Sequence, residues 1–227
     1  MNSNTVSVVI PTYNGEHFIG ECLDSISVQK VPHEVIIVDD MSTDRTVEIA
    51  REKGAAVIVN EVHKGQVAGK NTGIKNMNGA YFLTIDQDDR LKPDALSDLI
   101  NEMEDNSAQI VMSKLEDFAD TESDVPFCHQ EPFRGILTGA ALFRKEVFDT
   151  IGLFDESIIT GDVIDLADRC GKNGVIIYKS DIITCERRIH SSNYGRTNQK
   201  DEYKDYAKLL RKQFLEKINN GRSETDR

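Results

Sequence analysis

AYFLTIDQDDRLKPDAL, residues 80–96, is the stretch on which the fold turns. It opens as a short, nearly continuous apolar run with aromatic and β-branched side chains, the pattern of a strand covered on both faces. Three carboxylates in four residues follow, Asp86, Asp88 and Asp89 around Gln87. Pro93 and Asp94 then open a helical pattern in which Ala95, Leu96, Leu99, Ile100 and Met103 recur on one face. A buried strand that ends in acid and runs into a helix is half of a βα unit.

The same grammar occurs three times upstream. VSVVI (6–10), EVIIVD (34–39) and AAVIVN (55–60) read as strands, and Phe18, Ile19, Cys22, Leu23 and Ile26 as the core stripe of a helix. Ser42, Thr43 and Asp44 supply cap residues for the next helix. Alternating βα units give a doubly wound α/β fold with a mostly parallel central sheet and helices on both faces. In such sheets ligands lie across the carboxyl ends of the strands. The segments to inspect are therefore PTYNG (11–15), DDMSTD (39–44), NEVHKG (60–65) and DQDDR (86–90).

The second half changes character. AQIVMSKLEDF (108–118) reads as a strand, residues 115–133 as an acidic connection, and GILTGAALFRKEVFDTIG (135–152) as strand then helix. A short helix is expected over Asp162–Lys172, then VIIY (175–178) and DIITC (181–185) as two strands. Tyr203, Ala207, Leu210, Phe214 and Ile218 mark one face of a C-terminal helix over about 201–219, followed by a frayed tail. The expected organisation is one domain over 1–200, with a ligand-binding half at about 5–100 and a second half at about 101–200, and an amphipathic appendage over 201–227.

Composition narrows the function. With 27 basic and 39 acidic residues among 227, the formal charge is −12. Residues 1–186 hold 16 basic and 33 acidic residues, whereas the chain from Arg187 onward is basic. An acidic body repels nucleic acid and anionic lipid, so no nucleic-acid partner is expected. No run approaches the roughly 20 apolar residues of a membrane span, and MNSNTVSVVIPTYN lacks the basic flank and cleavage site of a secretory signal. The expectation is a cytoplasmic protein, with peripheral membrane contact open through the basic C-terminal helix. Cys22, Cys128, Cys170 and Cys185 have no metal-type spacing and are expected to be free thiols.

Three carboxylates gathered at a strand end repel one another, and a hard divalent cation, Mg²⁺ or Mn²⁺, would relieve them; a solvated turn that caps the following helix is the plainer alternative. Asp39 and Asp40 either contact a nucleobase or ribose or form a helix-cap turn. GQVAGKNTG (65–73) is one residue too short for a phosphate loop, with Asn71 where Ser or Thr should stand. It is rejected as such, while Lys70 stays a candidate partner for a phosphate or carboxylate. Arg187, Arg188, His190 and Arg196 follow the last expected strand, either to close over a diphosphate or as a basic flank on an acidic body.

The order of these blocks carries more than any one of them. VSVVIPTYNG, EVIIVDDMSTDRTVEIA and GKNTGIKNMNGAYFLTIDQDDRLKPDAL resemble the nucleotide-sugar-binding half of the family 2 glycosyltransferases, which have the GT-A fold. The resemblance continues through LFRKEVFDTIGLFDE and GDVIDLADR and covers about residues 5–170. It implies that Pro11, Thr12, Tyr13 and Asn14 form the loop at the nucleobase and that Asp40 reads a uracil-type edge. It also implies that Lys70, where the family more often has arginine, together with Asp86 and Gln87 serves the nucleotide sugar, and that Asp88 and Asp89 bind the metal. The family's Glu-Asp before Leu-x-x-Arg aligns on Asp162 and Val163, so Asp162 becomes the expected catalytic base and Asp165 the reserve. Met41, where a small residue is usual, reshapes the base pocket.

The activity so implied is inverting transfer of a sugar from a nucleoside-diphosphate sugar, UDP-linked by preference, to a hydroxyl acceptor, whether glycan, lipid-linked, peptide or small molecule. The alternative, supported by Val163, is a GT-A domain that binds the nucleotide sugar without transferring it. A receiver domain is excluded because Lys92 lies only six residues beyond Asp86, and a haloacid-dehalogenase-type phosphatase because Arg90 stands where Thr or Val is needed.

Overall fold

The computed structural model describes residues 4–134, 138–158 and 161–197. The elements in chain order are β1 (Val6–Thr12), α1 (Ile19–Ser27), β2 (His33–Asp39), α2 (Thr46–Glu52), β3 (Ala56–Val59), α3 (Gln66–Asn76) and β4 (Tyr81–Thr84). There follow β5 (Arg90–Leu91), α4 (Ala95–Asp105), β6 (Ile110–Phe118), β7 (Ala141–Arg144), α5 (Glu146–Ile151), α6 (Asp162–Lys172), β8 (Ile177–Arg188) and α7 (Tyr194–Thr197).

The described strands form one sheet in the order β3-β2-β1-β4-β7-β6-β8-β5. The first four are parallel, with Val6 opposite His33 and Val9 opposite Thr84. β7 is antiparallel to both β4 and β6, β8 is parallel to β6, and the two-residue β5 is antiparallel to β8. The sheet is thus parallel where the βα grammar was legible and mixed beyond it. VIIY and DIITC, expected as separate strands, are spanned by the single β8, whose pairing with β6 slips at Met112, Lys114 and Leu115. These irregularities absorb the polar Lys179-Ser180-Asp181, which reads as a turn in the sequence. The expected C-terminal helix and tail lie outside the described residues.

Alternation along β1 divides the core. Val6, Val8 and Ile10 join α1 and α4 on one face, while Val9 joins Val67 and Ile74 of α3 on the other. Of the expected stripes, Ile19, Cys22, Leu23 and Ile26 are buried in α1, and Ala95, Leu96, Leu99 and Met103 in α4, while Phe18, just before α1, and Ile100 are half-buried. Asp44 caps α2, accepting from the Thr46 amide at 3.0 Å.

α3 is the element that sets the depth of the site. It carries Gly69 and Gly73 one turn apart, facing β1. A Cβ on Gly69 would come 3.0 Å from Pro11 Cβ, and one on Gly73 would come 2.2 Å from Val9 Cγ1. These absent side chains let the helix backbone lie directly on the strand, which carries Lys70 beneath the strand ends. We expect Gly73→Ala to destabilise the protein by about 1–3 kcal/mol through overpacking, measured by denaturant unfolding, and Val9→Ala in that background to recover part of the loss. An unchanged midpoint for Gly73→Ala would contradict this packing.

Candidate active site

The connection after β1 leads to β2 on one side, and β4 returns on the other, so the strand order reverses at the β1–β4 boundary. A crevice at such a boundary is where open α/β sheets bind ligands. The segments singled out from the sequence meet there.

The β1 loop and the acidic loop are strapped together. The Tyr13 amide donates to Gln87 Oε1 and Gln87 Nε2 donates to the Tyr13 carbonyl, each at 3.1 Å. Gly15 leaves room for this strap, since a Cβ there would lie 2.2 Å from Gln87 Oε1. Asn14 takes positive φ and pairs with the β2 loop, its amide donating to Ser42 Oγ at 2.8 Å and its Oδ1 accepting from the Thr43 amide at 2.9 Å. Buried Thr12 donates to Asp39 Oδ1 at 3.2 Å, and Pro11 packs on Gly69. Tyr13 alone of this group presents its ring to solvent, 49% exposed.

Asp40 does not stand open. Its Oδ1 accepts from Asn60 Nδ2 and the Lys64 amide, both at 2.9 Å, and its Oδ2 from the Gly65 amide at 2.7 Å. His63 Nδ1 lies 2.9 Å from the same Oδ2. Burial alone would raise this carboxyl, yet the hydrogen bonds from Asn60, Lys64 and Gly65, and then the charge of His63, hold it below the usual range. Asp40 therefore organises the loop before α3 at the nucleobase end of the crevice.

Across the crevice, Lys70 Nζ lies 2.9 Å from Asp162 Oδ2, with both side chains less than a tenth exposed. Asp162 is the first residue of α6, preceded by Gly161 at positive φ. Asn71 fixes the facing segment: its Oδ1 accepts from the Phe154 amide at 3.0 Å and its Nδ2 donates to Glu156 Oε1 at 2.8 Å. Asp165 instead accepts from Arg169 Nε at 2.8 Å within α6, an orienting role.

The acidic loop separates its carboxylates. Asp86 accepts from Gln66 Nε2 at 2.6 Å. Burial and the adjacent Asp88 push its carboxyl up to about 6, against the pull of Lys70. Asp88 Oδ2 lies 2.8 Å from His190 Nε2 and 3.2 Å from Asn193 Nδ2. Asp89, expected beside Asp88 as a metal ligand, lies inside the protein and accepts from the Arg188 amide at 2.9 Å. Burial first, and then Asp88 and Asp86, keep it well above the ordinary carboxylate range. Arg188 donates to the Asp88 carbonyl at 2.9 Å and contacts Glu21 and Asp120, its guanidinium over the Phe118 ring. The residues that sequence reasoning passed over as site residues are His63, Asn60 and Gln66, all in the polar loop NEVHKGQ or at its edge.

Among the described residues, no three His, Cys, Asp or Glu side chains form a complete metal site. The donor set still fits a hard divalent cation. Mg²⁺-type sites take one or two carboxylates and complete their shell with water and substrate phosphate, and the crowding of Asp86 by Asp88 is an excess of negative charge that such an ion would relieve.

Residues 7–152 match the family model described as glycosyl transferase family 2. The chain belongs to glycosyltransferase family 2. Consistent with membership, this glycosyltransferase is 30% identical over 238 residues to an uncharacterized glycosyltransferase of Rickettsia prowazekii, covering 95% of this chain and 73% of that protein. It is 38% identical over 119 residues to the poly(ribitol-phosphate) beta-glucosyltransferase of Bacillus spizizenii, covering 48% of this chain but only 19% of that one. The GT-A architecture is shared with S. aureus TarS 1–349 in complex with UDP-GlcNAc, at TM-score 0.69 and 23% identity over 85% of this chain and 61% of that chain. It is shared likewise with a mannosyltransferase of Pyrobaculum calidifontis in complex with GDP-Man and Mn²⁺, at TM-score 0.68 and 20% identity over 91% of this chain and 64% of that chain. No helix among the described residues is long and apolar enough to cross a membrane.

Because folding raises the Asp86 carboxyl from 3.8 to about 6, its stabilising contribution is complete below the lower value and is lost as pH rises through the upper one. In the metal-free protein, Asp86→Asn is expected to raise the melting temperature at about pH 7.5 and to have little effect at about pH 4. Thermal melts at the two pH values check this; a destabilised variant at the higher pH would contradict it.

Proposed function

We propose that this glycosyltransferase moves a sugar from a nucleoside-diphosphate donor, UDP-linked by preference, to a hydroxyl acceptor with inversion at the anomeric carbon. One observation carries the reading: Asp162, from the second half of the chain, reaches Lys70 at the end of the donor crevice, beside Asp86 and its neighbour Asp88. The glycosyltransferases in complex with UDP-GlcNAc and with GDP-Man and Mn²⁺ support a nucleotide-sugar donor.

The roles follow from chemistry. Lys70 holds Asp162 at Oδ2, which leaves Oδ1 to take the acceptor proton. The acceptor oxygen then attacks the anomeric carbon as the bond to the diphosphate oxygen breaks. A single displacement from the face opposite the leaving group inverts the centre. Asp86 and Asp88 would hold Mn²⁺ or Mg²⁺, with His190 at the edge of that set and Asp89 beneath it. When bound, the ion supplies charge neutralisation for the departing diphosphate. Gln87 and Asn14 support the loops, and Tyr13 offers a ring face to the base.

In this reading the donor crevice is built by about residues 5–100 and the base is brought by residues 101–200. The competing reading, donor binding without transfer, draws on Val163, which lines an apolar pocket with Met112, Phe143 and Leu166 and contributes no carboxylate. It is separated from transfer by donor turnover itself.

Asp162→Asn should reduce sugar release or transfer from labelled donor by about 10²–10⁴ while nucleoside-diphosphate binding persists. A variant with full turnover would remove Asp162 from its role, and a wild-type protein that binds donor but never cleaves it would favour the binding-only reading. Removing divalent ions with a chelator is expected to abolish turnover and to weaken donor binding; unchanged turnover would reduce the acidic loop to a turn.

A further inference from the structure

The connection that leaves β6 stands across the crevice from the loops after β2 and β3. Those two strands lie on one side of the β1–β4 boundary, and β7, β6 and β8 on the other. The connection begins beside the acidic loop, where the Ile189 amide donates to the Phe118 carbonyl at 2.8 Å and the Arg188 amide to Asp89 at 2.9 Å. It returns to the same loop, since a Cβ on Gly139 would come 3.9 Å from Asp89 Oδ2. Leu115 and Phe133 close its near end with two backbone hydrogen bonds of 2.9 Å. The residues between them thus border the acidic loop on the side of the acceptor half.

Within this loop one exposed ring is held from two directions. The His129 amide donates to Asp117 Oδ2 at 2.9 Å and Nδ1 lies 2.7 Å from the same oxygen, while the ring rests on Phe133 at 4.0 Å between centroids. Asp117 does not need His129 for charge. Its side chain is fully buried, but the Arg187 guanidinium already forks onto it with bonds of 2.8 and 2.9 Å. Arg187 Nη2 comes 3.3 Å from His129 Nδ1 as both converge on that one oxygen. What the Asp117 contact adds is orientation: Nδ1 carries its hydrogen toward the carboxylate, and in the neutral ring Nε2, pointing away, keeps a lone pair. The His129 side chain is 54% exposed. Phe127, two residues earlier, is 57% exposed, with the Arg196 guanidinium over its ring at 4.0 Å. An exposed aromatic and a fixed hydrogen-bond acceptor on one short loop match the two surfaces of a sugar, its C–H face and its hydroxyl edge.

We infer that His129 is an acceptor-binding residue: its Nε2, oriented by buried Asp117, takes the hydrogen of a second hydroxyl of the acceptor, which is therefore a polyhydroxylated molecule, a sugar or alditol. The inference rests on the transfer proposed above, in which Asp162 takes the proton of the reacting hydroxyl. Two separate hydroxyl-accepting groups suit a polyol and leave one of them idle with a lone alcohol.

The test uses ribitol, methyl β-glucoside, N-acetylglucosamine and propan-1-ol. Each is titrated into the full chain with UDP and Mg²⁺, followed by saturation-transfer NMR, at about pH 8, where a free imidazole is neutral. The wild type should bind at least one of the three polyols about tenfold or more tighter than propan-1-ol, as an added hydrogen bond implies. His129→Phe keeps a ring for Phe133 but has no acceptor nitrogen. His129→Asn keeps an amide hydrogen for Asp117 but has no second ring nitrogen, and guards against a misfolded Phe variant. Each should weaken that polyol about three- to tenfold, the span of one hydrogen bond, and leave UDP affinity by calorimetry unchanged. Parallel loss of polyol and UDP binding would make His129 a brace of the loop and overturn the inference. So would unchanged polyol affinity in both variants, or a wild type that binds UDP but none of the polyols. A wild type that binds a polyol through His129 but no UDP would uphold this inference and overturn the donor reading instead.

Discussion

The buried ion pair between Lys70 and Asp162 is the contact on which the rest of the site depends. A lone ammonium or carboxylate at that depth would carry a desolvation cost of several kcal/mol, so each is tolerable only because the other is there. The pair joins residues 92 positions apart, one on α3 and one at the start of α6. Its depth comes from Gly69 and Gly73, which let α3 rest on β1 with no side chain between. Backbone packing of α3 on β1 thus determines where Asp162, at the start of α6, is held.

Around that pair the protein manages an excess of acid in three different ways. Asp40 is quenched by amides and by His63. Asp89 is withdrawn into the interior, where burial favours its neutral form. Asp86 and Asp88 stay in the crevice and remain in conflict, moderated by Lys70 on one side and His190 on the other. These two are where the proposed cation and diphosphate would sit. A cluster that looked uniform in sequence divides into a buried member and two that face the crevice.

The parallel half of the sheet was legible because each strand there is an apolar run bounded by a turn and followed by a helical stripe. The mixed half was less so. Two-residue β5 carries too little pattern to read, and the polar Lys179-Ser180-Asp181 inside β8 imitates a turn because local sequence does not register a bulge in a partner strand. For the site, the family's motif order brought out Lys70, Asp86, Asp88 and Asp162. It could not reveal that Asp40 is saturated and Asp89 turned inward, since which way a carboxylate points is decided by long-range partners such as Asn60 and Arg188. His63 escaped notice for the same reason: only the fold brings it against Asp40.

The most direct measurement is a thermal-shift comparison of the full chain with Mn²⁺ alone, with a nucleoside-diphosphate sugar alone, and with both, across UDP-, GDP-, dTDP- and CDP-sugars. If Asp86 and Asp88 require ion and diphosphate to complete one site, the joint shift for a UDP-sugar will exceed the sum of the separate shifts. Strictly additive shifts, or none with any pair, would contradict a shared metal–diphosphate site.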